Sequence, residues 1–254
     1  MRLAALAASI CLTMVAGLPH ASNTSFDLSK LTYYPAPENN GLGVGVLVLP
    51  GGGYSYVSPQ EESNSTFYLN GHGYDAWVLN YSTAATAPTP LYPVPQDEAL
   101  GAVRYIRSLS KVEKLGIWGY SAGGHLAAVT VTDTRADLDF GILTYPVISM
   151  DASITHAGSR ANLLGDNPSP ELVKEMSAET RVTNSTPPIF IYHSANDAAV
   201  PVENALRFIS ALTEKSIPYQ ALILPDAGHG IALALDDPVR NWTPELYRFL
   251  TYSI

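Results

Sequence analysis

Two rhythms of hydrophobic and polar positions alternate along the chain. Short runs that are apolar at consecutive positions, residues 43–50, 74–82, 114–120, 140–147, 188–194 and 219–225, read as strands covered on both faces. Longer stretches between them are apolar at helical spacing. Ala99, Val103, Ile106 and Leu109 fall near one face of 94–109, and Val202, Leu206, Ile209 and Leu212 near one face of 200–216. Residues 122–132 read as a further helix, and Thr243 ahead of Pro244 and Glu245 marks the start of a last one. Strands alternating with helices predict the α/β class, with a mostly parallel sheet and helices on both faces. The Pro-rich segment 86–95 predicts an ordered surface loop, because Pro fixes φ and removes donors. No repeat, low-complexity segment or flexible linker divides the chain.

Composition narrows the picture. A chain of 254 residues, 46% hydrophobic and 15% charged, can bury one large core, so a single domain over 22–254 is expected. The net charge of -9 excludes a phosphate-backbone partner, since no basic cluster exists to displace counterions. Residues 1–21 read as a signal peptide: Arg2 supplies the positive start, an uncharged apolar stretch follows, and small residues stand near Ala21 and Ser22. That stretch is shorter than the ~20 apolar residues a spanning helix needs, and no basic flank follows, so no membrane span is expected. Five N-x-S/T sequons, at Asn23, Asn64, Asn80, Asn184 and Asn241, fit a secreted glycoprotein, although each also fits an ordinary polar turn. The only cysteine, Cys11, lies inside the signal, so neither disulfide nor thiol chemistry is expected afterwards. No histidine belongs to a metal-ligand spacing, and neither metal nor cofactor is expected.

The candidate chemistry centres on "GYSAG", residues 119–123, between a predicted strand and a predicted helix. A serine on so tight a turn is exposed at the strand's C-terminal end, and the Ala122 amide beside it faces an oxyanion position. The same pentapeptide also fits a serine that merely caps a helix. "LPGGGYSY" adds three glycines after a strand, Gly51, Gly52 and Gly53, whose unobstructed N–H groups suit a developing oxyanion; it also fits a turn that needs positive φ. A phosphate loop is disfavoured, because no Lys follows and no G-x-G-x-x-G opens a helix. Asp197 and His229 then follow two later strands in the order Ser, Asp, His, and all three loops open on one sheet edge. Asp197 is favoured over Asp226, which is too near His229 in the chain to orient its imidazole across the site. Tyr54, Tyr56 and Tyr120 are candidate aromatic walls of a substrate pocket.

Taken together, "PGGGY", "GYSAGGHLAA", "TPPIFIYHSANDAAVPVENAL" and "DAGHGIALA" resemble the bacterial and fungal acetyl esterase group of α/β-hydrolases, which includes acetylxylan and feruloyl esterases. The resemblance covers residues 43–234. It implies the α/β-hydrolase fold, Ser121 as nucleophile, His229 as base, Asp197 as its orienting acid, and amides near Gly51, Gly52 and Ala122 as the oxyanion hole. It further implies an esterase acting on short acetyl-type esters, with a small ester or an acetylated saccharide as partner; with the signal segment and the sequons, a secreted, fungal enzyme is expected. The segment between the fourth and fifth long apolar runs is polar and modest in length, so no large lid is expected. One departure is Ala232, where the group leads one to expect Gly and where a narrower site would follow. The same triad serves formamidases, peptidases and lactonases, and a binding protein on a hydrolase scaffold is a separate class.

Overall fold

A computed structural model describes residues 26–38 and 41–254. The predicted signal segment, Cys11 and Asn23 lie outside the described residues. Seven strands, β1 Leu31–Tyr34, β2 Val44–Leu49, β3 Asp75–Leu79, β4 Lys114–Tyr120, β5 Phe140–Thr144, β6 Ile189–Ser194 and β7 Tyr219–Leu224, form one sheet. Its order is β1-β3-β2-β4-β5-β6-β7, with only β1 antiparallel. Among the described residues seven α-helices accompany it: α1 Pro59–Gly71, α2 Val94–Ser108, α3 Ser121–Val131, α4 Ala157–Leu164, α5 Pro170–Glu175, α6 Glu203–Glu214 and α7 Thr243–Tyr252.

The consecutive apolar runs are explained by burial on both faces. In β2, Val46 and Val48 join a core with α1 and α7, while Leu47 and Leu49 join the opposite core with α2, α3 and α6. Aromatic side chains dominate the α7 side, where Tyr192 stacks on Trp242 at 4.8 Å between ring centroids. Aligned rings of this kind add about 0.5–1.5 kcal/mol beyond the area they bury.

Two elements depart from the pattern reading. α1 is missing from it because "PQEESNSTFYLNG" carries no apolar stripe; Pro59 near its start and acidic residues in its first turn set it up instead. β1 is a short half-exposed edge strand with no alternation to detect. β5 stops at Thr144 rather than 147, because Tyr145 takes a left-handed backbone, φ 37°. The Pro-rich loop is ordered, as expected: the amides of Leu91 and Tyr92 donate to the carbonyls of Asn162 and Leu163 at the end of α4.

The topology determines where chemistry can sit. The chain winds leftward from β2 to β3 and then rightward from β4 onward, so the crevice between the C-terminal ends of β2 and β4 is a switch point. Leu49 and Gly119 stand opposite each other there, which brings the glycine run after β2 against Ser121 after β4.

Candidate active site

The turn from β4 into α3 is strained at the serine. Ser121 has φ 51°, a conformation that costs a non-glycine residue of order 1–3 kcal/mol and persists only when its surroundings enforce it. Enforcement comes from close packing. A Cβ at Gly119 would collide with the Gly123 carbonyl, and one at Gly123 with the carbonyls of Leu49 and Pro50. Gly123 is therefore small because β2 runs directly against it, not because its own φ is unusual.

Ser121, Asp197 and His229 meet. His229 Nε2 is 3.0 Å from Ser121 Oγ, and His229 Nδ1 is 2.6 Å from Asp197 Oδ2. Asp197 is held by the loop that starts α6: its Oδ1 accepts from the Ala199 and Val200 amides at 2.9 and 2.8 Å. His193 Nε2 donates to the Val200 carbonyl at 2.8 Å and lies 3.4 Å from Asp197 Oδ2. Burial pushes the Asp197 carboxyl pKa up, but the His193, His229 and Val200 hydrogen bonds outweigh it and hold the group well below the usual carboxylate range. The rival Asp226 points elsewhere, paired with Arg240 at 2.7 Å.

The amide positions differ in availability. Ala122, in the first turn of α3, has an N–H with no helical partner. Gly52 sits at φ 128°, a backbone open essentially only to glycine, and its N–H meets no acceptor among the described residues. Gly51 is corrected: its N–H already donates to Glu61 Oε2 at 2.5 Å, so it is not free for a substrate oxyanion. Ala122 and Gly52 thus keep their N–H groups without a protein acceptor among the described residues, and so does the next amide, Gly53.

The expected pocket walls are also corrected. Tyr54 is buried, and its hydroxyl donates to Nδ1 of the buried His125 at 2.8 Å, whose Nε2 donates to the Met176 carbonyl. Burial lowers the His125 pKa to about 4, so it is a neutral core residue at ordinary pH. Tyr120 is buried against Trp118 and accepts a hydrogen bond from Ser65. Tyr120 points inward from the end of β4 and Tyr54 from the turn after β2, which a motif-level reading does not resolve. Tyr56, by contrast, is 58% exposed on the glycine loop.

Sequence reasoning missed two residues beside the triad. Glu61, buried on α1, and Tyr145, after β5, hydrogen-bond to each other at 2.8 Å, and the Tyr145 ring meets the His229 imidazole edge-on at 4.9 Å. An acidic residue 10 positions after Gly51, in a helix with no apolar stripe, was the only available signal. Ala232 has φ 48°, which accounts for the glycine expected there; its N–H donates to the Tyr145 hydroxyl and its carbonyl accepts from Trp242, so it anchors the His229 loop rather than narrowing the site.

Comparison with known proteins places this geometry in context. The profile of the prolyl oligopeptidase family matches residues 94–254. The chain is 38% identical over 216 residues to endo-1,4-beta-xylanase B of Butyrivibrio fibrisolvens, covering 78% of this chain and 34% of that protein. It is 34% identical over 206 residues to an acetylxylan esterase of Xylanibacter ruminicola, covering 76% and 42%. The chain thus spans well under half the length of these curated relatives. Among solved structures, an acetyl ester-xyloside bifunctional hydrolase from Caldicellulosiruptor lactoaceticus superposes with TM-score 0.79 at 36% identity, covering 87% of this chain and 86% of that one. The fold is the α/β-hydrolase fold.

Proposed function

The chain belongs to the prolyl oligopeptidase family of α/β-hydrolases, and from that premise we propose that it is a serine carboxylesterase of short acetyl-type esters, acting on acetylated saccharides. The observation that carries the reading is the continuous chain of hydrogen bonds from Asp197 through His229 to Ser121, with the Ala122 and Gly52 amides open beside it. Ser121 Oγ attacks the ester carbonyl while His229 Nε2 takes its proton. The Ala122 and Gly52 N–H groups receive the developing oxyanion, a contribution of roughly 3 kcal/mol per donor. His229 then returns the proton to the leaving alcohol, and water attacking by the same route releases the acid. Asp197 keeps the imidazole proton on Nδ1, the tautomer this sequence requires.

Support for an acetylated saccharide comes from the relatives, whose names join acetyl ester and xylan chemistry, and from the short elements over the site. Between β5 and β6 stand only α4, α5 and a 3-10 turn, too little for a broad apolar lid. The test compares acetate release from acetylated xylo-oligosaccharides, aryl acetates, feruloyl esters and peptide anilides. Acetylated saccharides and aryl acetates are expected to be turned over and anilides not; preferred cleavage of anilides would overturn the reading in favour of a peptidase.

Secretion belongs to the same proposal. Asn80 and Asn184 are exposed and Asn64 and Asn241 half-buried, so these four sequons are within reach of a glycosyl transferase on the folded surface or before folding completes. Expression in a fungal host with the natural leader is expected to yield extracellular protein whose mass falls on treatment with an N-glycosidase. Retention inside the cell without a mass change counts against it.

A further inference from the structure

We infer that Glu61 is a positioning residue of the active site, holding the glycine loop in place and supplying a second fixed anion to the imidazolium that forms on His229. The inference rests on Ser121 being the nucleophile. Glu61 is 7% exposed and its two carboxylate oxygens face different parts of the site. Oε2 accepts from the Gly51 N–H, which fixes the Pro50–Gly51 peptide, one peptide ahead of the Gly52 amide. A Cβ built on Gly51 would lie 2.9 Å from Glu61 Oε2 and 3.0 Å from Ser121 Cβ, so the carboxylate and the nucleophile both close on Gly51. Oε1 accepts from the Tyr145 hydroxyl, which in turn accepts from the Ala232 N–H at 3.1 Å. One carboxylate therefore joins the oxyanion loop, the chain after β5 and the His229 loop.

A buried carboxylate is costly unless its lone pairs are engaged and a cation is near. Burial pushes the Glu61 pKa up, while the Gly51 and Tyr145 hydrogen bonds, His229 and Ser58 draw it back. The cost of placing it here is recovered when Ser121 gives up its proton, because His229 becomes positive at that moment and the anion is already in position. Around His229 the facing groups are Asp197, Tyr145, His156 and Ser121; around Glu61 they are Tyr81, Tyr120, Tyr145 and Ser58. Among these only Asp197 is a second carboxylate, and it meets the opposite ring nitrogen from the one that takes the Ser121 proton.

The test measures the second-order rate of fluorophosphonate labelling of Ser121 together with kcat and KM on an aryl acetate. Glu61→Gln keeps the shape and removes the charge. Its labelling rate and kcat are expected to fall about 10- to 100-fold with KM nearly unchanged. Glu61→Asp, which keeps the charge and withdraws it by one methylene, is expected to recover part of both rates. Tyr145→Phe keeps the charge and removes one of the two groups that hold it, and is expected to lower kcat less than Glu61→Gln. Gln and Asp variants with wild-type rates overturn the inference, as does a loss that appears in KM rather than in kcat and the labelling rate. If the Gln variant does not fold, the Asp variant decides on the same criteria. A wild-type protein that labels at Ser121 while the variants match it defeats the role of Glu61 alone; a wild-type protein that does not label defeats the nucleophile.

Discussion

Replacing Ser121 by Ala is expected to abolish ester hydrolysis, lowering kcat by roughly 10⁴- to 10⁶-fold, while the protein keeps its fold. The size of the effect follows from the covalent route: without Oγ no acyl-enzyme forms, and only the oxyanion amides and substrate binding are left to act. Stability changes little because the strained backbone at φ 51° is imposed by Leu49, Pro50, Gly119 and Gly123 packing together, and alanine is no worse at that φ than serine. The check is the rate on an aryl acetate beside a thermal melt. Wild-type turnover by the alanine variant would remove Ser121 from the chemistry.

Asp197→Asn is expected to cost about 10⁴-fold in kcat, and the local hydrogen bonds explain why an isosteric change is so severe. Asp197 Oδ1 accepts two backbone N–H groups, from Ala199 and Val200, so an asparagine keeps its carbonyl oxygen there. Its amide NH₂ is then turned toward His229 Nδ1 and donates to it. The imidazole must accept at Nδ1 and carry its proton on Nε2, where it cannot take one from Ser121. The same substitution has a signature in stability against pH. The folded Asp197 pKa is depressed below its ordinary value of 3.8, so its ionised form stabilises the fold fully above that value and loses this contribution as pH falls toward the lower folded pKa. Asparagine does not titrate, and acid unfolding curves of the variant are expected to be flatter below about pH 4. Near-wild-type kcat in the variant, or an unchanged acid limb of unfolding, contradicts this account.

What is legible in the sequence is what local pattern controls. The central strands are buried on both faces and carry consecutive apolar positions, so their existence follows from the local pattern, as it does for β4 from Leu115 to Tyr120. Ser121, Asp197 and His229 can be nominated because each follows a strand, and strands of a parallel sheet release their loops on one edge. The order along the chain carries this information without any distance. Elements that lack periodic burial, α1 and β1, leave no such trace.

Distances and competition for hydrogen bonds are decided only in three dimensions. Gly51 and Gly52 are alike as residues, yet one amide is taken by Glu61 from a helix ten residues on and the other is left open. Tyr54 and Tyr120 stand beside the site in sequence, and the pleat of β4 and the packing around His125 turn both into the core. Ala232 occupies a left-handed position where the family resemblance leads one to expect glycine, held there by Tyr145 and Trp242. The sequence by itself determined the class of fold and the order in which Ser121, Asp197 and His229 reach one sheet edge, because these depend on pattern and chain direction. The tertiary structure alone decided which polar groups are free, since each donor can serve only the acceptor that the packed neighbours bring to it.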